Sequence, residues 1–150
     1  MAKTLQIKVL IIVFTVMGNF VTAGEKWNYS ADEMDQTKIN GKSVRRLKDN
    51  VRFVKTNQVI LTDNAIQQIN EDVLHLNGNT IMINGIDTLI CDSMVYWSKL
   101  DSGYAMGNVR YIQPDKDRKL TTDIFHYWQT LGYRGSSFIT KGHTRVIEND

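Results

Sequence analysis

The run Leu89-Ile90-Cys91-Asp92-Ser93-Met94-Val95-Tyr96 cannot be one regular strand with a single buried face. Leu89 and Cys91 share one parity, Met94 and Tyr96 the other. A strand sends alternate side chains to opposite faces, so all four point inward only if the chain bulges or bends between the pairs. The run Leu120-Thr121-Thr122-Asp123-Ile124-Phe125-His126-Tyr127 has the same switch, with Leu120 and Thr122 before the aspartate and Phe125 and Tyr127 after it. Tyr29 and Ala31 then Met34, and Ile60 and Thr62 then Ala65, are two further copies. The pattern predicts a bulge at each aspartate, whose carboxylate bonds backbone N–H groups that the bulge frees.

The aspartates fall in small-residue–Asp pairs at Ala31-Asp32, Thr62-Asp63, Cys91-Asp92 and Thr122-Asp123, spaced 31, 29 and 31 residues apart. A turn-like signal interleaves with them at Asp49-Asn50-Val51, Gly78-Asn79-Thr80, Gly107-Asn108-Val109 and Gly142-His143-Thr144. Self-similarity at a fixed period means one supersecondary unit, stacked so that each copy covers its neighbour's apolar face. Short alternating runs fill the units: Val51-Arg52-Phe53, Leu74-His75-Leu76, Thr80-Ile81-Met82-Ile83, Val109-Arg110-Tyr111 and Thr144-Arg145-Val146. Their β-branched and aromatic residues predict half-buried strands. Asn40-Gly41, Asn77-Gly78, Asn84-Gly85, Ser102-Gly103 and Gln113-Pro114-Asp115-Lys116-Asp117 read as turns between them. The single proline lies in the last of these and interrupts no central strand. The expected fold is all-β, built from four repeats of about thirty residues, in one domain.

Lys3 and Lys8 flank the start of a short apolar run from Val9 to Met17, and Val21-Thr22-Ala23 follows. This is the layout of a secretory signal over residues 1–23, which leaves 24–150 as the mature domain. The run is short against the roughly 20 apolar residues of a membrane span. An uncleaved anchor facing the periplasm stands as the second reading of the segment. Its removal takes two lysines and no acid, so 18 basic and 16 acidic residues become 16 of each. The mature chain is formally neutral, and the electrostatic case for nucleic acid disappears with the leader. One cysteine, Cys91, excludes an intramolecular disulfide, so the core must hold the fold. For an exported chain that fits a bacterial periplasm better than a disulfide-stapled module.

Catalytic and metal chemistry find no support in the sequence. There is no nucleophile elbow, phosphate loop, paired-carboxylate motif or zinc signature. His75, His126 and His143 lack ligand spacing, and thirty-residue intervals between aspartates do not make a calcium loop. Cys91 reads as a small inward residue. No cofactor is expected. Trp97 and Trp128 take equivalent places after Tyr96 and Tyr127, either at a rim or shielding a strand edge.

The pattern of an apolar residue, a spacer, a small residue and Asp, an aromatic and then Gly-Asn-Val resembles the OstA-like family. That family comprises periplasmic lipopolysaccharide-transport proteins and the N-terminal domain of the outer-membrane lipopolysaccharide assembly protein. The resemblance runs from Tyr29 to about Ile147 and is carried by Leu89 to Tyr96, Tyr104 to Val109, and Leu120 to Tyr127. The second unit departs from it with Gln67 in place of the aromatic, the last with Gly142-His143-Thr144. The resemblance implies a twisted antiparallel β-jellyroll, open on one side, whose interior receives the acyl chains of lipopolysaccharide. It also implies end-to-end stacking by strand pairing with other lipopolysaccharide-transport subunits or with further copies of the chain, as a bridge between the inner and outer membranes.

The candidate lipid-contacting inner face is Ile60, Leu74, Leu76, Met82, Leu89, Cys91, Tyr96, Val109, Tyr111, Leu120, Tyr127 and Phe138. The same side chains can equally fill a small β domain's own core. Two rivals to lipid carriage remain: a strand-pairing scaffold of the same fold, anchored or in an assembly complex, and a repetitive adhesin-like surface protein.

Overall fold

The computed structural model describes residues 26–129 and 136–148. The expected leader over 1–23 lies outside the described residues. Among these residues ten strands form one antiparallel sheet: β1 (Asn28–Ser30), β2 (Glu33–Ile39), β3 (Lys42–Lys55), β4 (Gln58–Gln68), β5 (Val73–Asn84), β6 (Asp87–Trp97), β7 (Ser102–Gln113), β8 (Arg118–Gln129), β9 (Ser136–Lys141) and β10 (Arg145–Glu148). From β2 to β9 each strand pairs with its neighbour in sequence, and the sheet does not close on itself. Both β1 and β2 pair with β3, and both β9 and β10 pair with β8, so each couple is one strand position broken in the middle. The result is a meander, open at both edges, with the antiparallel β-jellyroll architecture expected from the sequence.

Every ladder between long strands shifts register at the same level, where one strand carries Gly-Asn or Asp49-Asn50 and the next carries Asp. This corrects two expectations. The Gly-Asn pairs are not turns: Gly78-Asn79 and Gly107-Asn108 lie inside β5 and β7, and Asn77-Gly78 and Ser102-Gly103 are likewise strand residues. The extra residue of the bulge belongs to the Gly-Asn strand, and aspartate is the single residue facing it. Across one such bend the inward residues Cys91 and Met94 are three apart, while Ala105 and Val109 opposite them are four apart. Both bend residues adopt the left-handed conformation, with φ of 76° at Gly107 and 47° at Asn108.

At three of the bends glycine is favoured for a second reason. A Cβ on Gly78, Gly107 or Gly142 would sit 2.5, 2.4 or 2.3 Å from the carboxylate of Asp63, Asp92 or Asp123. The following residue then holds that carboxylate. Asn50, Asn79 and Asn108 donate through Nδ2 to Asp32, Asp63 and Asp92 at 2.6, 2.8 and 2.8 Å. His143 donates its backbone N–H to Asp123 at 2.9 Å, with Nδ1 3.2 Å away. Among the described residues, this last bend shows the backbone donor expected at all four. In the second and fourth units the residue before the aspartate meets the residue after the bend: Thr62 with Thr80 at 3.0 Å and Thr122 with Thr144 at 2.9 Å, oxygen to oxygen. Thr62 Oγ1 also lies within hydrogen-bonding distance of the carbonyls of Asn64, Asn77 and Gly78 at the distorted part of the ladder.

The bends fold the sheet over itself, and both halves contribute to one core. Tyr111, below the bend of β7, packs 4.9 Å from Phe125, above the bend of β8, and Phe138 stacks on Phe125 at 4.9 Å. At the other end Trp27 meets Tyr96 edge-on at 5.9 Å. Burial of this face is the main stabilising term, at roughly 25 cal/mol per Å² of apolar surface.

Candidate functional site

The inner face is continuous from β3 to β8. Ile60, Leu74, Leu76, Met82, Leu89, Cys91, Tyr96, Val109, Tyr111, Leu120 and Tyr127 are all buried in the same cluster, with Phe138 partly buried against it. Phe53, Ile60, Tyr96, Ala105 and Phe125 have no exposed surface at all. The face is thus apolar along its length and packed with its own side chains. Space opens at its margins: a recess of about 490 Å³ beside Trp27, Lys26, Lys55 and Lys99, and a narrow slot between Met82, Leu89, Asn84, Asp87, Tyr111 and Tyr127.

The slot lies on the seam where the folded halves meet. One border of the inner face is a polar row read directly from the register: Lys55 opposite Gln58, Gln58 opposite Asn84, Asn84 opposite Asp87, and Gln113 opposite Arg118. These residues continue the inward parity of the apolar positions beyond the core. Three tyrosines reach them from within. Tyr96 donates to Asp101 at 2.5 Å, and Gln58 Nε2 donates to the same carboxylate at 2.9 and 3.0 Å. Asn84 Nδ2 donates to Tyr127 Oη at 2.6 Å. Tyr111 donates to Asp87 at 2.6 Å, and Gln113 Nε2 lies 3.1 Å from that carboxylate and 3.2 Å from Tyr111 Oη. Gln58–Asp101 and Asn84–Tyr127 each link strands or loops that are not paired in the sheet, so side chains clasp the seam.

Burial, and secondarily the Asp101 carboxylate, raises the hydroxyls of Tyr96 and Tyr127 well above the ordinary phenol range. Both stay protonated and serve as hydrogen-bonding groups. Desolvation likewise pushes the Cys91 thiol up to about 12, which leaves it without thiolate character near neutral pH. Among the described residues no three His, Cys, Asp or Glu side chains converge as a metal site. No described helix is long and apolar enough to cross a membrane.

Trp97 ends β6, and Trp128 is the last residue but one of β8. They lie on the outer face of the sheet, where Trp97 meets Tyr104 at 6.3 Å and His126, stacked on Tyr104, meets Trp128 at 5.1 Å. The parity of the repeat located the inner face. The seam residues Gln58, Asn84, Asp87, Asp101 and Gln113 were not anticipated. Their signal in the sequence is a polar residue continuing inward parity at a strand end, as Gln113 does after Val109 and Tyr111.

No protein-family model and no curated protein matches the sequence. The fold is similar to that of a solved structure. LptH from Pseudomonas aeruginosa, described as the LptA-homologous periplasmic component of the conserved lipopolysaccharide transport device, superposes with a TM-score of 0.65. The match covers 84% of this chain and 96% of that one at 10% sequence identity. The two chains share an architecture.

Proposed function

We propose that this protein is a non-enzymatic periplasmic carrier of lipopolysaccharide, whose inner face receives acyl chains between the inner and outer membranes. The observation that carries the reading is the continuous, largely apolar inner face, from Phe53 to Tyr127, in a sheet that stays open at both edges. Each methylene buried there is worth roughly 0.8 kcal/mol, so one chain of about a dozen carbons gains on the order of 10 kcal/mol before ordering costs. Movement along such a face needs no catalytic group, only neighbouring stretches of similar affinity. Similarity to a periplasmic transport component supports the same reading. Export by cleavage after Ala23 completes it.

The two edges supply the partners. Among the described residues, strands β1 and β2 pair only with β3, and β9 and β10 only with β8, so each presents a row of backbone donors and acceptors along its outer side. An exposed edge is a template for augmentation by another subunit or another copy. A second reading gives that pairing as the whole function, with the inner face serving as core. The complete packing of Phe53, Ile60, Tyr96 and Phe125 favours it.

A photo-crosslinking residue at Leu89 or Tyr111 separates the two in cells. Labelling of lipopolysaccharide is the expected outcome for the carrier. Labelling of protein alone would leave the strand-pairing scaffold.

A further inference from the structure

We propose that the seam beside β5, β6 and β7 is a headgroup clasp, which binds an amphiphile through neutral hydrogen-bond donors such as sugar hydroxyls or amide N–H groups. This deepens the carrier reading and rests on it.

A lone acceptor lies beside the slot, on an amide bonded to two of its lining residues. Gln113 is 4% exposed, and its Oε1 has no hydrogen-bond partner. The amide cannot be turned around to cure this. Its nitrogen faces the Asp87 carboxylate at 3.1 Å, and an amide oxygen in that place would meet an acceptor already taking the Tyr111 proton. The orphaned oxygen is therefore a consequence of the carboxylate, and it calls for a donor from elsewhere.

Asp87 and Tyr111, both bonded to this amide, line the slot together with Asn84 and Tyr127. The slot's other wall is Met82 and Leu89, which belong to the apolar inner face. An amphiphile with its chain on Met82 and Leu89 thus has its first polar group at Asp87, Tyr111 and Tyr127. The slot is nearly closed, with room for about one water molecule. Entry exchanges the Asn84–Tyr127 bond, which spans the seam, for bonds to the headgroup.

The charge of the site selects the headgroup. Asp87 and Asp101 both act on Tyr127, so a phosphate placed here faces two carboxylates. The nearest cation along the row, Arg118, is held by Glu148 at 2.5 Å. Lys55 lies at the far end of the row, beyond Gln58 and Asn84. Hydroxyls and amide N–H groups suit this set, because Asp87 and the Gln113 oxygen accept and Tyr127 can do either.

The test compares two probes of equal chain length, n-dodecyl glucoside and n-dodecyl phosphate, by calorimetry below their micelle concentrations on the purified protein. The glucoside is expected to bind about tenfold more tightly, since a site of buried acceptors rejects a ligand that lacks donors. Asp87→Asn is expected to shrink that preference to about twofold, mainly by admitting the phosphate. Tyr111→Phe, a milder change that spares the fold should Asp87→Asn weaken it, is expected to lower glucoside affinity about fivefold and leave the phosphate unchanged. The side-chain amide resonance of Gln113 is expected to move with glucoside only. Equal or tighter phosphate binding by the unaltered protein, or a preference untouched by both substitutions, overturns the clasp and leaves lipid carriage standing. Binding of neither probe overturns the carrier reading itself.

Discussion

The bends and the hairpin tips use the same two residue types and do opposite things. At the tip between β2 and β3, Asn40-Gly41 takes φ of 51° and 77°, and the chain reverses. Inside β5, Gly78-Asn79 takes φ of 86° and 43°, and the strand continues on the far side. What differs is the neighbour. A hairpin tip faces solvent, and nothing lies within 4 Å of a Cβ placed on Gly41 or Gly85. A bend faces an aspartate on the adjacent strand, which fills the space over the glycine and accepts from the asparagine. A pair of left-handed residues therefore kinks a strand without ending it, provided the next strand presents an acceptor.

The largest test of that contrast is Gly107→Ala against Gly85→Ala. The first combines a positive φ with a clash against Asp92 and is expected to cost about 3 kcal/mol in urea denaturation. The second has the strain alone and is expected to cost about 1 kcal/mol. Equal costs would mean that the carboxylate merely fills a gap.

The paired threonines beneath the bends come next. Thr62→Val leaves the kinked carbonyls and the Thr80 hydroxyl short of a donor and is expected to cost about 2 kcal/mol. A cycle with Thr80→Val is expected to show a coupling of about 1 kcal/mol. In the third unit Cys91 and Val109 hold the equivalent positions, both apolar and buried. Cys91→Thr without a hydroxyl at position 109 is therefore expected to destabilise rather than mimic the second unit. In the intact protein Cys91 is also expected to resist thiol reagents at pH 8 until denaturant is added, consistent with its burial and raised pKa.

The smallest effect is at the exposed last bend. The His143 backbone N–H, aided by its side chain, holds the Asp123 carboxyl below its ordinary value of 3.8. A depressed folded-state pKa adds stability above the unfolded value, and that contribution is lost as pH falls through the folded one. Carboxyl chemical shifts should place the Asp123 midpoint below 3.8, and His143→Ala should move it upward without abolishing the backbone contribution.

Much of the inner face was legible from parity, because a period of two is a local property of extended backbone. Cys91 with Met94 and Thr122 with Phe125 required a break beside each aspartate, and the registers shift there. Which strand carries the extra residue was not legible. Gly-Asn signals left-handed backbone equally well in a tip and in a bend, and only the facing strand separates the two. The seam was hidden for a similar reason: Gln58 and Asp101, or Asn84 and Tyr127, are 43 residues apart and in unpaired parts of the sheet. Trp97 and Trp128 went undecided because their periodicity names a face, and the strands around them decide whether it is central or marginal.

By itself the chain's alternation, its thirty-residue period and its aspartates determined an all-β meander of bent units with one apolar side. Those are local preferences, written in the order of neighbouring residues. Only the folded sheet decided how the two halves close on one another, that the inner face is filled by its own aromatic and aliphatic side chains, and that a row of polar ends clasps the opening. Closure depends on the summed twist of eight strand positions, a quantity no single stretch of sequence contains.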